Sequence, residues 1–144
     1  MNLRTERFLL AILCLSAADV GVWALIAPRS FYDSFPGLGR HWIDVTGPYN
    51  EHFVRDVGGL YLALLGLSAW AALRPTRDLA RVAGLAWSVF SLPHLAYHAG
   101  HLDEFGAGDR IGNLIALGGT AVVGLALFVA PWPATGRSAA EGVG

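Results

Sequence analysis

Four windows of the chain stay apolar for about as long as a bilayer is thick: Phe8 to Ala27, Phe53 to Leu73, Leu79 to Ala99 and Ile111 to Pro131. A hydrocarbon core about 30 Å deep takes roughly 20 helical residues, so each window predicts a membrane-spanning helix. The first follows Arg4 and Arg7, as the core of a secretion signal does. It runs on past Ser16-Ala17-Ala18 to Pro28, however, longer than the roughly 7–15 residues of a cleaved signal, and is read as a retained span. Arg74-Pro75-Thr76-Arg77-Asp78 is a tight turn with Asp78 as N-cap of the third helix, and so short a link makes the second and third helices antiparallel neighbours. The longest connection, Pro28 to Asn50, carries Phe31, Tyr32, Phe35, Pro36, Trp42 and Tyr49. Aromatic rings prefer the membrane–water boundary, which predicts a roof over one end of the helices. The expectation is an all-α fold: a four-helix transmembrane bundle, one domain over residues 1–133, with an extracytoplasmic loop between helices 1 and 2. No internal repeat stands out, and the small and polar residues of 134–144 predict a disordered cytoplasmic tail.

Composition agrees with a membrane setting, since 54% of the 144 residues are hydrophobic and 18 are glycine. All ten basic residues are Arg and the net charge is −1, which excludes the broad cationic surface that a nucleic-acid partner requires. The lone Cys14 has no partner for a disulfide or a cysteine metal motif, and reads as a small hydrophobe. With the N-terminus inside, the inner segments hold Arg4, Arg7, Arg74, Arg77, Arg81 and Arg137, against Arg29, Arg40, Arg55 and Arg110 outside. The positive-inside rule then predicts a multi-pass protein of the cell membrane with both termini cytoplasmic. Asp33, Asp44, Glu51, Asp56, Asp103, Glu104 and Asp109 fall on the outer side together with all five histidines.

Three of those histidines, His94, His98 and His101, are spaced by four and then three, which places them within roughly 60° of one another on a helix. At 1.5 Å per residue from the inner ends, His94 stands about 22 Å up, His98 about 28 Å, Asp56 about 25 Å and His52 about 31 Å. The levels overlap, and Asn113 at the outer start of the fourth helix reaches the same height. Imidazole with carboxylate is a common ligand set for zinc, copper, nickel or non-haem iron, so His52, His94 and His98 with Asp56 form a candidate transition-metal site. A haem held by one histidine from each of the second and third helices is a variant of it. His101, about 33 Å up, and Glu51, four residues before Arg55, are peripheral. The alternative is that these groups only reach headgroup water or exchange protons.

Two further features lie within the spans. Asp19 sits about 16 Å above the start of the first window, where an ionisable group is either protonated or hydrogen-bonded to a hydroxyl such as that of Ser68 or Thr120. Pro93 frees the carbonyl of Val89 and predicts a kink below His94. Gly58, Gly59 and Gly66 in the second span, and Gly112, Gly118, Gly119 and Gly124 in the fourth, allow helices to approach closely.

Arg55-Asp56-Val57-Gly58-Gly59-Leu60-Tyr61-Leu62, at the start of the second span, resembles the Arg-x-x-Gly-Gly segment of small bacterial membrane proteins that are loosely DoxX-like. The resemblance implies a four-helix membrane bundle and, through DoxX itself, a link to quinone-coupled oxidation. The histidine run Pro93 to Asp103 has no counterpart in that pattern, so the resemblance carries architecture. Three readings of function follow: a membrane protein that holds a metal or haem in support of a redox process, a lipid- or quinone-modifying enzyme that uses His and Asp as acid and base, or a non-catalytic accessory subunit. Beyond the lipid bilayer, the partners expected are a membrane protein or a second copy of the chain.

Overall fold

Three of the four long helices begin where a side chain can satisfy the free amides of the first turn; the last, which follows Gly106, has no side-chain cap. Asn2 accepts from Thr5 N at 2.8 Å, Asn50 from Phe53 N at 3.3 Å and Thr76 from Leu79 N at 3.3 Å. A computed structural model describes residues 1–131; the tail expected at 134–144 and the domain boundary at 133 lie outside the described residues. The elements are α1 (Leu3–Ile26), α2 (Pro28–Ser34), a two-residue antiparallel hairpin of β1 (Pro36–Gly37) and β2 (Arg40–His41), α3 (Glu51–Leu73), α4 (Arg77–Gly100) and α5 (Ala107–Val129), with short 3-10 turns at Asp44–Thr46 and Leu102–Glu104.

Apart from that hairpin the described residues are all-α, but they form five helices rather than four. Pro28 cannot continue α1, and its fixed φ suits the first turn of a new helix, so part of the predicted loop becomes α2. The hairpin turns through Gly37, Leu38 and Gly39, all with positive φ, which glycine tolerates at two of the three positions. Three helices, α1, α3 and α5, are long and apolar enough to cross a membrane. The equally long α4 is not among them: Arg77, Asp78, Arg81, His94 and His98 dilute its apolar character. Its N-cap is Thr76 rather than Asp78, which lies one turn-position inside the helix.

The helices associate as two antiparallel pairs, α1 with α3 and α4 with α5. Both pairs use the same device. Gly58 faces Gly21, where a Cβ on Gly58 would lie 2.8 Å from Leu25 N and 3.1 Å from Gly21 O. Gly84 faces Gly124, where a Cβ on Gly84 would lie 2.6 Å from Phe128 N and 2.7 Å from Gly124 O. Three residues before each of these glycines an arginine reaches the last turn of the partner helix: Arg55 donates to Leu25 O, and Arg81 to Phe128 O at 3.1 Å. Both guanidiniums thus satisfy carbonyls at a helix C-terminus, the negative end of its dipole. One crossing lies at the roofed end of the molecule and the other at the opposite end, so the pairs are two inverted copies of one motif.

Of the glycines expected to permit close approach, Gly58 and Gly124 do so, and Gly112 lies against the Trp42 ring. Gly59, Gly66, Gly118 and Gly119 face open space, and the partners at the crossings are Gly21 and Gly84. The short α3–α4 link does make those helices neighbours, yet they touch more loosely than the pairs do. Trp87, fully buried, donates to Ser68 Oγ at 2.9 Å, and Tyr61 packs edge-on against Trp87 and Phe90. This looser seam leaves room between the pairs at the roofed end.

Candidate functional site

That room is a cavity of about 510 Å³, within the size range of small-molecule sites. α1 supplies Ser16 and Val20, α3 Phe53, Val54, Val57 and Tyr61, α4 Phe90, His94, Tyr97 and His98, and α5 Asn113 and Thr120. Phe31, Tyr32, Phe35 and Trp42 close it above. Phe53 and Tyr97 line it and are also exposed, so the wall is open between α3 and α4.

The roof is held by a few specific bonds. Trp42, buried, donates from Nε1 to Asp109 Oδ1 at 2.8 Å, and Arg40 bonds the same oxygen. Tyr32 donates to Gly47 O and packs on Tyr49 at 5.2 Å between ring centroids. Trp23, Phe31, Phe35 and Trp42 form a chain of edge-on and tilted ring contacts. Desolvation and the Glu51 carboxylate push the Tyr49 phenol above its ordinary range, so this rim residue stays neutral. Asp109→Ala removes the acceptor shared by Trp42 and Arg40 while leaving every helix crossing intact. Hydrogen exchange of residues 36–48 should rise at least ten-fold, with no loss of helix content by circular dichroism.

His94 and His98 lie one turn apart with ring centroids 4.8 Å apart; Phe90 packs edge-on against His94, and Phe105 stacks on His98. Asn113 is 1% exposed and His98 8%. His94 Nδ1, His98 Nδ1 and Asn113 Oδ1 are buried without a hydrogen-bond partner among the described residues. Unpaired buried polar atoms of this kind cost about 1–3 kcal/mol each, and three facing one cavity call for a group that satisfies them.

His52 and Asp56 do not join them. They pair with each other at 3.5 Å, and their side chains are 79% and 61% exposed. Equal height does not fix azimuth: at about 100° per residue His52 stands roughly opposite Tyr61, which marks the buried face of α3. The proposed ligand set of His52, Asp56, His94 and His98 is therefore not assembled, and among the described residues no group of three or more His, Cys, Asp or Glu is placed to hold a metal ion. The haem variant meets the same obstacle, because its second axial histidine would be His52. Glu51 binds Arg55 at 2.9 Å outside the cavity. His101 caps α4, bonds Tyr97 O at 2.7 Å and stacks on the Tyr97 ring. Asp19 reaches neither expected hydroxyl, for Ser68 accepts from Trp87 and Thr120 donates to Leu117 O. α4 runs unbroken through Pro93, which is exposed.

No protein-family model, no curated protein and no solved structure matches this chain.

Proposed function

We propose that the chain is an integral membrane protein whose cavity binds a neutral, ring-bearing amphiphile through a hydroxyl or carbonyl group. Its four long helices cross the bilayer with the roof on the extracytoplasmic side and the chain ends in the cytoplasm, as the arginine distribution favours. The same layout is the one that the Arg55 to Leu62 segment, with its DoxX-like resemblance, implies. Along the span of α4 the polar residues Ser88, Ser91 and His98 are turned inward, which is compatible with crossing although it is the least apolar of the four.

The observation that carries the reading is the pairing of an aromatic wall with three unpartnered polar atoms and no charge. No Lys, Arg, Asp or Glu is among the lining residues, so an ionised headgroup would be desolvated there without a counter-ion. A hydroxyl suits the set, since its one O–H donates to Asn113 Oδ1 while its lone pairs accept from an imidazole N–H. The imidazoles also supply a proton donor and acceptor at the bound oxygen, which is what acid–base work on a quinone, hydroquinone or hydroxylated lipid requires. Metal chemistry is disfavoured by ligand number, because two imidazoles fall short of the three protein ligands usual at a catalytic zinc.

Short-chain hydroquinone, its dimethyl ether and an ionised fatty acid should be titrated against the protein in lipid nanodiscs, with the binding heat measured by calorimetry as readout. Hydroquinone should bind at least ten-fold more tightly than the ether, as expected of a site with buried groups to pair. The fatty acid should not compete. Equal affinity for the three would remove the reading. His52→Ala, outside the cavity, should leave the affinity unchanged.

A further inference from the structure

Asp19 stands apart from every other acid of the long helices. Glu6, Glu51, Asp56, Asp78 and Asp109 lie within five residues of the start of their helix, whereas Asp19 is sixteen residues past Leu3 and seven short of Ile26, about 10 Å inside the outer end of α1. It is exposed, and no donor among the described residues reaches it. On a single copy in lipid its carboxyl would meet hydrocarbon, at a cost of about 2.5–3.5 kcal/mol when charged, too deep for so short a side chain to reach water. The exposed faces of α3, α4 and α5 carry no acid or base at comparable depth.

The residues around Asp19 form a seam. Phe8, Ile12, Leu15, Val22 and Ile26 are exposed, and with Asp19 they recur at alternating spacings of four and three. Such a 3.5-residue repeat fits two parallel helices in a left-handed crossing, and one polar residue within it fixes register and copy number. We propose that this face of α1 is the interface of a parallel homodimer, with the two Asp19 side chains meeting across its two-fold axis. A second copy is the occupant that the geometry favours. All copies cross the membrane in the same direction, so a two-fold along the bilayer normal brings equal depths together and places Asp19 against Asp19. The two carboxyl groups then lie within hydrogen-bonding reach of each other across the axis, in place of hydrocarbon. The dimer does not depend on the cavity's ligand.

In a Cys14→Ser background, Leu15→Cys and Val22→Cys should form intermolecular disulfides on mild oxidation in native membranes, and Val122→Cys on α5 should not. Fluorescence energy transfer between labelled copies in vesicles should show Asp19→Asn dimerising like the parent and Asp19→Leu at least ten-fold more weakly. Circular dichroism should be unchanged in both, because position 19 is exposed. Absence of the disulfides at 15 and 22, dimerisation of Asp19→Leu at parental strength, or capture of residue 19 by a different protein would each overturn the proposal.

Discussion

Gly84→Ala should unfold or strongly destabilise the protein. The added methyl would sit 2.6 Å from Phe128 N and 2.7 Å from Gly124 O, both backbone atoms of a helix that cannot yield locally. Forced overpacking of this kind costs about 1–3 kcal/mol and sometimes more, and here relief requires α5 to move away from α4. That movement also breaks the bond from Arg81 to Phe128 O. Gly58→Ala should behave alike at the α1–α3 crossing, where Leu25 N lies 2.8 Å from the new methyl. Gly59→Ala and Gly118→Ala are the controls. Both positions face open space, so each should gain about 0.5–1 kcal/mol from better helix propensity. Thermal unfolding in detergent, followed by tryptophan fluorescence, should lower Tm at 58 and 84 and raise or preserve it at 59 and 118. Equal effects at neighbouring Gly58 and Gly59 would contradict the crossing geometry.

Asn113→Leu should abolish recognition of the ligand's hydroxyl without harming the fold. Asn113 is buried with Oδ1 unpaired, which carries a desolvation cost. Replacing the amide with an apolar group of similar size removes that cost and is expected to raise stability by about 1 kcal/mol. Binding moves the other way: loss of a buried hydrogen bond to a neutral hydroxyl should weaken hydroquinone by ten-fold or more, while the dimethyl ether binds as before. His98→Phe should show the same opposition, since His98 Nδ1 is also unpaired and the ring already stacks on Phe105. Greater stability with lost affinity is the mark of a residue kept for binding. A variant that loses both would point to an ordinary structural role.

Much of the scaffold was legible because long apolar windows and short polar links allow few arrangements. Helix ends shifted by a few residues, since Asn2, Asn50 and Thr76 cap earlier than hydropathy alone begins. The inverted pairing was not legible. In the first pair the helix with the bare glycine precedes the Arg-x-x-Gly helix, and in the second the order is reversed, so a linear comparison of the chain with itself has nothing to align. The candidate site was half legible. His94, His98 and Asn113 come together as their heights suggest, but height says nothing of azimuth, and His52 and Asp56 turn outward. The azimuth was available from the buried stripe Val54, Gly58, Tyr61, Leu64 and Ser68, whose spacing fixes the inner face of α3. Trp42 was the least readable residue: an aromatic in a loop suggests a boundary anchor, and only the fold brings it to Asp109.

The central claim is that His94 and His98, and not His52, meet the bound molecule. Side-chain ¹⁵N spectra of histidine-labelled protein in nanodiscs, recorded with and without hydroquinone, test it directly. Two of the five imidazoles should shift on addition, and those two should be the resonances lost in His94→Gln and His98→Phe. A shift at His52, or spectra that do not change at saturating hydroquinone, would contradict the account.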